Sequence, residues 1–393
     1  MFGNLKVLPK PLGNYVVGIT HMDFIDYSRP QVFSFETGSP GRKIPVTMFY
    51  PADSSEHKRS APYSFPEALI EISRMTFGMW SKKMASLKTQ VYQDIAISSQ
   101  EKDFPIIFFN QGYFSYEMQS TVLCSDLASL GYIVISVGHP YESSAVKYTD
   151  GSIIKVSREI ERQFNSIFNK EYIRQVMKIK RDNSSFTDEK AMEVAKSFYV
   201  DNYGKLTESV RIWADDTIFV ANELENVNNG NKDTRFKNKL QLNRGFGITG
   251  ASLGGAVAAQ VCFLDQRFHC GINMDGGTWG DYLFENIQTP FMTIGTMFLW
   301  NTGRSTFLLN SEDTFIVVVD KTEHWAYTDV IFGSRHAVLL GRVGVRDKFE
   351  FRKLLTDYHA TFFNKYLMGN CDTDLSTLKY KGIKFYQNNR APQ

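Results

Sequence analysis

Short runs of continuous apolar residues recur along the chain, and longer segments with helical periodicity separate most of them. Runs of this kind are typical of parallel strands that are covered on both faces. They are found at residues 104–109, 132–137, 245–249, 270–274, 291–295 and 314–319. Strands that alternate with helices predict an α/β fold, with a doubly wound, mostly parallel sheet and helices on both faces.

The remaining segments complete this arrangement. The pattern of residues 42–53 alternates between apolar and polar residues and predicts a half-exposed strand. Helical periodicity is found at 116–131, 208–227, 251–264 and 347–370. Residues 60–100, rich in Met and aromatic residues, are interpreted as a lid or rim over the sheet, and residues 151–207 as a charged helical excursion. The polar stretch 226–239 is interpreted as a solvated loop, because apolar strands follow it. We therefore predict a single domain over residues 1–393.

The charge and apolar patterns exclude several classes of protein. The 44 basic residues are scattered and are balanced by 42 acidic ones, so no basic face for nucleic acid is predicted. No apolar run approaches the roughly 18 residues needed to span a bilayer. The amino terminus MFGNLKVLPKPLGNY lacks the apolar core of a signal peptide. We therefore expect a cytoplasmic protein, or a secreted one if an upstream signal has been removed.

Ser252 lies between Gly250 and Gly254 in the stretch GFGITGASLGGAVAAQ, residues 245–260. This stretch predicts a strand that turns sharply into a helix. Glycines two residues before and after the serine avoid steric collision at such a turn, which presents the serine oxygen at the carboxyl edge of the sheet. Ser252 is therefore the predicted nucleophile, and the alternative is a small-residue helix start without chemistry.

A nucleophilic serine needs a histidine that takes its proton. In the chain order typical of this architecture the histidine comes after the serine. His324 directly follows the last apolar run, where a loop brings its imidazole over the sheet, and we predict it as the general base. The other histidines after Ser252 are His269, before a strand, His336, in a segment of uncertain type, and His359, within a predicted helix.

The acid is predicted one strand earlier than in many proteins of this architecture. After the run FMTIG no carboxylate occurs until Glu312, whereas the preceding run ends at Asp275, which two glycines follow. We predict that Asp275 orients His324 and stabilises its protonated form. The alternative for Asp275 is a turn residue, since Asp-Gly is a common turn pair. Two other carboxylates remain candidates, Asp320 and Asp329.

Two backbone N–H groups are expected to hold the oxyanion that develops on the substrate. One belongs to Leu253, the residue after the nucleophile, and the other to Tyr113 in the loop NQGY that follows the first apolar run. The side chain of Tyr113 either lines the acyl pocket or packs in the core. The further predicted substrate contacts are Gly112, His139, Trp279 and Trp325. For His139 the alternative is structural, because a His-Pro pair at a strand end often fixes the loop.

These residues predict a serine esterase that hydrolyses a short acyl ester, of a lipid or of another small molecule, through an acyl-enzyme. No metal or cofactor is expected, because the four cysteines form no CxxC pair and are interpreted as buried thiols. The predicted partner is the ester substrate. Peripheral membrane contact and the oligomeric state are left open by the sequence.

The chain resembles the platelet-activating-factor acetylhydrolase family, the plasma and type II intracellular α/β-hydrolases with group VII phospholipase A2 activity. The most specific part is GITGASLGGAVAAQVCFLDQRFHCGINMDGG, and the likeness includes IPVTMFYPAD, FFNQG, DLASLGYIVISVGHPYESSA and TEHWAYTD. The resemblance implies the α/β-hydrolase fold and a bacterial or intracellular relative of the plasma enzyme. Its implied site residues are the triad Ser252, Asp275 and His324 and the oxyanion donors Leu253 and Tyr113.

Two other functions are compatible with the same sequence. One is binding without appreciable turnover, in which the apolar cluster Met75, Phe77, Met79 and Trp80 recognises a lipid surface or a partner. The other is acyl transfer to an acceptor other than water, which uses the same site residues. Liposome flotation tests the first alternative, and product analysis with added alcohols tests the second.

Overall fold

The described strands pair into one mixed, mainly parallel sheet of eleven strands and a separate two-stranded hairpin. The structure is a computed structural model that describes residues 6–33, 40–53, 59–76, 78, 82–181 and 186–388. The strands are β1 (Val16–Asp26), β2 (Arg42–Ala52), β3 (Ser60–Pro62), β4 (Lys88–Gln93), β5 (Ile106–Asn110), β6 (Ile133–Val137), β7 (Ala145–Lys147), β8 (Ile153–Lys155), β9 (Phe246–Ala251), β10 (Phe268–Met274), β11 (Phe291–Gly295), β12 (Thr314–Val319) and β13 (Ile383–Asn388).

The centre of the sheet is parallel. The strand order is β13-β12-β11-β10-β9-β5-β6-β2-β1-β4-β3, and neighbours from β12 through to β6 run parallel. Antiparallel pairing joins β13 to β12, β2 to β6 and β1 to β2. Because the carboxyl ends of parallel strands lie at one edge, the loops after β5, β9, β10 and β12 meet there.

Helices cover both faces of this sheet. They are α1 (Pro66–Met75), α2 (Thr121–Ser129), α3 (Arg158–Ile167), α4 (Lys170–Arg181), α5 (Asp188–Ala195), α6 (Leu206–Asn228), α7 (Leu253–Leu264), α8 (Met297–Thr302), α9 (Arg304–Leu309), α10 (Val330–Gly333), α11 (Arg335–Leu339) and α12 (Lys348–Tyr366). A π-helical segment, Lys196–Asn202, follows α5. Of the helices in the described ranges, none is long and apolar enough to cross a membrane.

Strand β5 shows why its sequence is apolar at every position. Ile107 and Phe109 face the core that contains residues of α2 and α12, whereas Ile106 and Phe108 face the core that contains residues of α6 and α7. All four side chains are fully buried. Since alternate residues of a strand point to opposite faces, a strand between two helical layers needs an uninterrupted apolar run.

The predicted doubly wound sheet is confirmed. Each of the six apolar runs corresponds to a strand, and the strand predicted at 42–53 is β2. The four segments of helical periodicity correspond to α2, α6, α7 and α12. Helix α6 extends slightly beyond its predicted segment at both ends, and the other three helices are shorter than predicted. The predicted excursion 151–207 contains α3, α4, α5 and the π-helical segment.

Three parts of the sheet differ from the sequence interpretation. Strands β1 and β13 were not predicted, because β1 mixes polar residues such as His21 into a buried strand and β13 is a half-exposed edge strand. Part of the predicted lid at 60–100 forms β3 and β4, which extend the sheet beyond β1.

Of the proposed apolar cluster, Met75 is the last residue of α1, whereas Phe77, Met79 and Trp80 lie outside the described residues.

Candidate active site

Ser252 occupies the turn between β9 and α7 and has a left-handed backbone, with φ 57° and ψ −123°. The turn brings the chain into contact with β5. A Cβ added at Gly250 would lie 2.1 Å from the carbonyl oxygen of Gly254, and one added at Gly254 would lie 2.1 Å from that of Asn110. Both glycines are therefore required by close backbone approach, and the turn predicted from the sequence is present.

His324 lies in the loop after β12, at the start of the short 3-10 turn His324–Tyr327. Its Nε2 is 3.0 Å from Ser252 Oγ, and its Nδ1 is 2.7 Å from Asp275 Oδ2. Because a carboxylate only accepts hydrogen bonds, Nδ1 carries the proton of the neutral ring and Nε2 accepts from the serine hydroxyl. The three side chains predicted as a triad thus form one hydrogen-bonded chain.

Asp275 follows β10 with a left-handed backbone, φ 47°. Its Oδ1 accepts a hydrogen bond from the backbone N–H of Thr296 at 2.7 Å. Burial raises the pKa of this carboxyl, but the hydrogen bonds from His324 and Thr296 outweigh burial, so the pKa lies below its ordinary value. The side chain is therefore an anion at neutral pH.

Gly295 and Thr296 are site residues that sequence reasoning missed. The sequence shows that no carboxylate follows β11, but the turn after β11 instead holds the carboxylate of Asp275. A Cβ at Gly295 would lie 2.6 Å from Asp275 Oδ1. Since the contribution of Thr296 is a backbone N–H, its side chain carried no signal for this role.

The other candidate acids and bases lie elsewhere. Asp329 is buried and accepts hydrogen bonds from the backbone of Val122, and Asp320 pairs with Arg346. Three histidines stay apart from Ser252: His269 and His336 are exposed, and His359 is buried against Thr249.

The loop after β5 lies directly beside the nucleophile. A Cβ at Gly112 would be 3.3 Å from the Cβ of Ser252. The N–H of Gly112 donates to Gln119 Oε1 at 3.0 Å, whereas that of Tyr113 has no protein acceptor among the described residues. Leu253 is the first residue of α7, where an N–H lacks an intrahelical partner. The N–H groups of Tyr113 and Leu253 therefore remain available to a ligand.

Two predicted substrate contacts lie next to triad residues. Trp279 is buried after the Asp275 loop and packs edge-to-face on Tyr199, with ring centroids 4.9 Å apart. Trp325 directly follows His324 and is partly buried against the core. Contact of either indole with the substrate stays a prediction.

The predicted substrate contact of His139 requires correction. His139 is fully buried at the end of β6, between Asp216 and the side-chain amide of Asn110, and its ring stacks on Trp213. A ring enclosed on both edges and on one face cannot line an open pocket. Its position agrees with the structural alternative, in which it fixes the loop.

The helical excursion 151–207 contacts three of the four loops that carry the site, those after β5, β10 and β12. Phe164 of α3 stacks on Tyr113 at 6.2 Å, and Tyr199 of the π-helical segment packs on Trp279. Lys180 of α4 pairs with Glu323, the residue before His324. The excursion therefore packs against the loops beside the site, whereas the sequence interpretation had placed a lid or rim over the sheet at residues 60–100.

No group of three or more His, Cys, Asp or Glu side chains in the described ranges is arranged to hold a metal ion. Three of the cysteines, Cys124, Cys262 and Cys270, are buried free thiols, and Cys371 is an exposed one. The chemistry available at this edge of the sheet is that of the serine, histidine and aspartate side chains and the backbone N–H groups.

Known proteins are similar to this chain over most of its length. Residues 2–368 match the family described as platelet-activating factor acetylhydrolase, isoform II. The chain is 25% identical over 306 residues to platelet-activating factor acetylhydrolase of Bos taurus, covering 74% of this chain and 60% of that protein. It is 23% identical over 288 residues to a probable 1-alkyl-2-acetylglycerophosphocholine esterase of Arthroderma benhamiae, covering 70% and 60%. The chain thus spans less than two thirds of the length of these relatives.

Among solved structures, a ferulic acid esterase from Streptomyces cinnamoneus is similar with a TM-score of 0.68 at 21% identity, covering 96% of this chain and 98% of that chain. This likeness concerns the fold, which is that of an α/β-hydrolase. The sequence match extends from the amino-terminal strands through α12, and so includes all three triad positions. The chain belongs to the platelet-activating factor acetylhydrolase, isoform II family.

Proposed function

We propose that this protein is a serine esterase that hydrolyses short-acyl carboxylic esters, with acetylated phospholipids as the leading substrate class. The observation that carries the proposal is the hydrogen-bonded chain from Ser252 through His324 to Asp275 at the carboxyl edge of the sheet. The acyl size and the lipid leaving group are supported by relatives named for removing an acetyl group from platelet-activating factor or from 1-alkyl-2-acetylglycerophosphocholine.

In the first half of the reaction, Ser252 Oγ attacks the ester carbonyl carbon while His324 Nε2 takes the hydroxyl proton. Asp275 accepts the Nδ1 hydrogen bond, which fixes the tautomer of the ring and stabilises the imidazolium. The tetrahedral intermediate then collapses, and His324 returns the proton to the leaving alkoxide, so that an alcohol departs. An acyl ester on Ser252 remains.

In the second half, water replaces the alcohol. His324 Nε2 takes a proton from the water, whose oxygen attacks the acyl carbon, and the carboxylic acid leaves as Ser252 regains its proton. In both halves negative charge develops on the carbonyl oxygen. The N–H groups of Leu253 and Tyr113 are the proposed donors to this oxygen, and each such donor lowers the barrier by about 2.7–4 kcal/mol in serine hydrolases.

The proposal is tested by covalent labelling of the wild type, Ser252→Ala and His324→Ala with a fluorophosphonate, read by intact mass and peptide mapping. We expect one adduct on Ser252 in the wild type, none in Ser252→Ala and a greatly slowed reaction in His324→Ala. His336→Ala is the matched control, because His336 is an exposed histidine outside the triad. Folded wild type that acquires no adduct would contradict an activated serine and favour the binding alternative.

The substrate class is tested separately with p-nitrophenyl esters of increasing chain length and with an acetylated phospholipid. We expect kcat/KM to be highest for acetate and to fall as the acyl chain lengthens. Product analysis with added alcohols distinguishes the free acid of hydrolysis from the new ester of acyl transfer. A new ester as the main product would replace hydrolysis by transfer with the same triad.

A further inference from the structure

A second histidine–aspartate pair lies in the interior, beneath the loop that approaches Ser252. His139 Nδ1 is 3.0 Å from Asp216 Oδ2, and its Nε2 is 3.0 Å from the side-chain amide of Asn110. The imidazole ring stacks on the indole of Trp213 at 4.0 Å, with an angle of 9° between the planes. All four side chains are fully buried.

The charges around Asp216 determine which atoms of this cluster carry protons. Arg42 donates two hydrogen bonds to Asp216, from Nε at 2.6 Å and Nη2 at 2.7 Å, and Nη2 of Arg29 lies 3.1 Å from the same carboxylate. Burial raises the pKa of Asp216, but Arg42 and His139 outweigh burial and hold the pKa well below its usual range. Asp216 is therefore a carboxylate, and His139 Nδ1 must donate to it.

The ring of His139 is neutral at pH 7. Burial lowers its pKa to about 4, although Asp216 acts in the opposite direction. Since Nδ1 holds the single ring proton, Nε2 has none and must accept a hydrogen bond. The partner of Nε2 is the Asn110 amide, which therefore has to present an N–H to it.

The amide of Asn110 satisfies this requirement together with Thr217. The Asn110 atom placed as Oδ1 lies 3.0 Å from His139 Nε2 and 3.1 Å from Thr217 Oγ1, whose hydroxyl donates to the carbonyl of Trp213 at 2.8 Å. Both neighbours are thus acceptors, and a half-turn of the amide places its NH2 group toward them, one hydrogen for each. Every hydrogen between Asp216 and Thr217 then has an acceptor.

This cluster is joined to the oxyanion loop on three sides. Asn110 is the last residue of β5, and its carbonyl oxygen lies against Gly254 beside the nucleophile. Gln111 Nε2 donates to Ser143 Oγ at 2.6 Å, and that hydroxyl donates to the carbonyl of His139 at 2.8 Å. The ring of Tyr113 packs on Trp213, 6.2 Å between centroids. A shift of the cluster would therefore move Tyr113 relative to Ser252.

We propose that Asp216, His139 and Asn110 are positioning residues for the esterase reaction, which hold the end of β5 so that the N–H of Tyr113 meets the developing oxyanion. One turn of α6 supplies Trp213, Asp216 and Thr217, which lie three and four residues apart and so share one face of the helix. The proposal depends on the esterase function proposed above, because it assigns these residues to the same site.

The test replaces His139 by Phe, which keeps a ring against Trp213 and removes both hydrogen bonds. With p-nitrophenyl acetate we expect kcat to fall about 10- to 100-fold with KM within about twofold of the wild type, because the loss is confined to the transition state. Fluorophosphonate labelling of Ser252 should slow by a similar factor. The acid limb of the kcat/KM profile should stay in place, since His139 takes no part in proton transfer.

A second variant protects the test against a folding failure. Thr217→Val keeps the shape of the side chain and removes the hydroxyl that accepts one amide hydrogen, and we expect a smaller fall in kcat, about 2- to 10-fold, with KM again little changed. Asp215→Asn is the matched control, because Asp215 is the exposed neighbour of Asp216 on α6. It should retain wild-type kcat. Circular dichroism and melting curves identify the variants that are folded.

The outcomes separate this inference from the proposed function. Wild-type protein that neither labels nor turns over ester would defeat the esterase proposal itself. Active wild type together with folded His139→Phe and Thr217→Val variants of unchanged kcat would overturn only the positioning role, as would an effect confined to KM. Nitrogen-15 spectra should show His139 as the neutral Nδ1–H tautomer at pH 7. A doubly protonated ring would overturn the amide orientation on which the proposal rests.

Discussion

Ser252 and Asp275 both occupy the left-handed region of backbone conformation, with φ of 57° and 47°. For residues other than glycine, such a backbone costs about 1–3 kcal/mol and persists only where the surrounding structure requires it. Here the two turns contact each other, because a Cβ at Gly276 would lie 2.0 Å from the carbonyl oxygen of Ser252. The N–H of Ser252 also donates to the carbonyl of Met274 at 2.9 Å. The positions of Ser252 and Asp275 are therefore coupled through the backbone as well as through His324.

Gly254→Ala is expected to destabilise the protein, although Ala normally favours a helix over Gly by about 0.5–1 kcal/mol. The reason is that the added Cβ would lie 2.1 Å from the carbonyl oxygen of Asn110, and relief of such overpacking costs about 1–3 kcal/mol. Urea unfolding and kcat should both show the loss. Gly341→Ala is the comparison for activity: its Cβ meets nothing within 4 Å, so the left-handed backbone is penalised and stability should fall, but kcat should be unchanged. An unchanged Gly254→Ala protein would contradict the close approach of β5 and α7.

Asp275→Asn is expected to lower kcat by about 10³–10⁴-fold while the fold is retained. An amide in place of the carboxylate neither stabilises the imidazolium nor selects the Nδ1–H tautomer of His324. The measurement is kcat for p-nitrophenyl acetate, with Asp320→Asn as the comparison, since Asp320 pairs with Arg346 away from the triad. A larger loss in Asp320→Asn than in Asp275→Asn would transfer the acid role to Asp320.

At the level of elements, the π-helical segment Lys196–Asn202 makes an apolar connection between the excursion and the sheet loops. Phe198 is 2% exposed and contacts Tyr172 and Tyr203 within the excursion and Phe298 at the start of α8. Tyr199 continues the contact to Trp279 beside the acid. The pair between Lys180 and Glu323 is partly exposed and adds little, since exposed ion pairs contribute about 0–1 kcal/mol. Aromatic packing therefore contributes more than this ion pair to holding the excursion against the loops beside the site.

Phe198→Ala is therefore expected to reduce the free energy of unfolding by about 3–5 kcal/mol, because it removes a fully packed ring and leaves a cavity. Since the same cluster supports Trp279, kcat/KM should also decrease, and proteolysis within residues 151–207 should become faster. Val200→Ala is the matched control in the same segment, as Val200 is 48% exposed and its truncation should change stability by less than about 0.5 kcal/mol. Equal effects of the two substitutions would contradict the anchoring role.

At the level of the whole molecule, two buried histidines couple stability to pH. His139 and His359 are fully buried on opposite faces of the sheet. Burial lowers the pKa of each to about 4, whereas an unfolded histidine titrates near 6.5. Between these values the unfolded chain binds protons that the folded chain does not, so stability falls as pH falls from about 6.5 to about 4.

The expected loss over that range is on the order of 3 kcal/mol for each histidine. Urea unfolding at several pH values between 4 and 7.5 measures it. His359→Leu should reduce the slope of stability against pH by roughly the contribution of one histidine, whereas the exposed His336→Leu should leave the slope unchanged. A His359→Leu protein with the wild-type slope would show that His359 is protonated in the fold.

The same residues show how far sequence reasoning extends for this protein. Sequence reasoning brought together Ser252, His324 and Asp275, the proposed nucleophile, base and acid, from strand ends and glycine spacing, because both are local patterns read in chain order. The roles of Thr296 and Gly295 could not be read this way, since one acts through its backbone and the other through the absence of a side chain. His139 was predicted to contact the substrate because it lies at a strand end. The orientation of its ring depends instead on the hydrogen bond to Asp216, which lies 77 residues later in the chain.

The sequence by itself determined the parallel sheet, its two helical layers and the turn that exposes Ser252, because periodicity and glycine placement act over a few residues. Only the tertiary structure decided which segment packs against the loops beside the site, how Asp275 is held, and that α6 lies beneath the loop after β5. These features arise from contacts between residues far apart in the chain, for which burial and hydrogen-bond geometry, rather than local preference, select the arrangement.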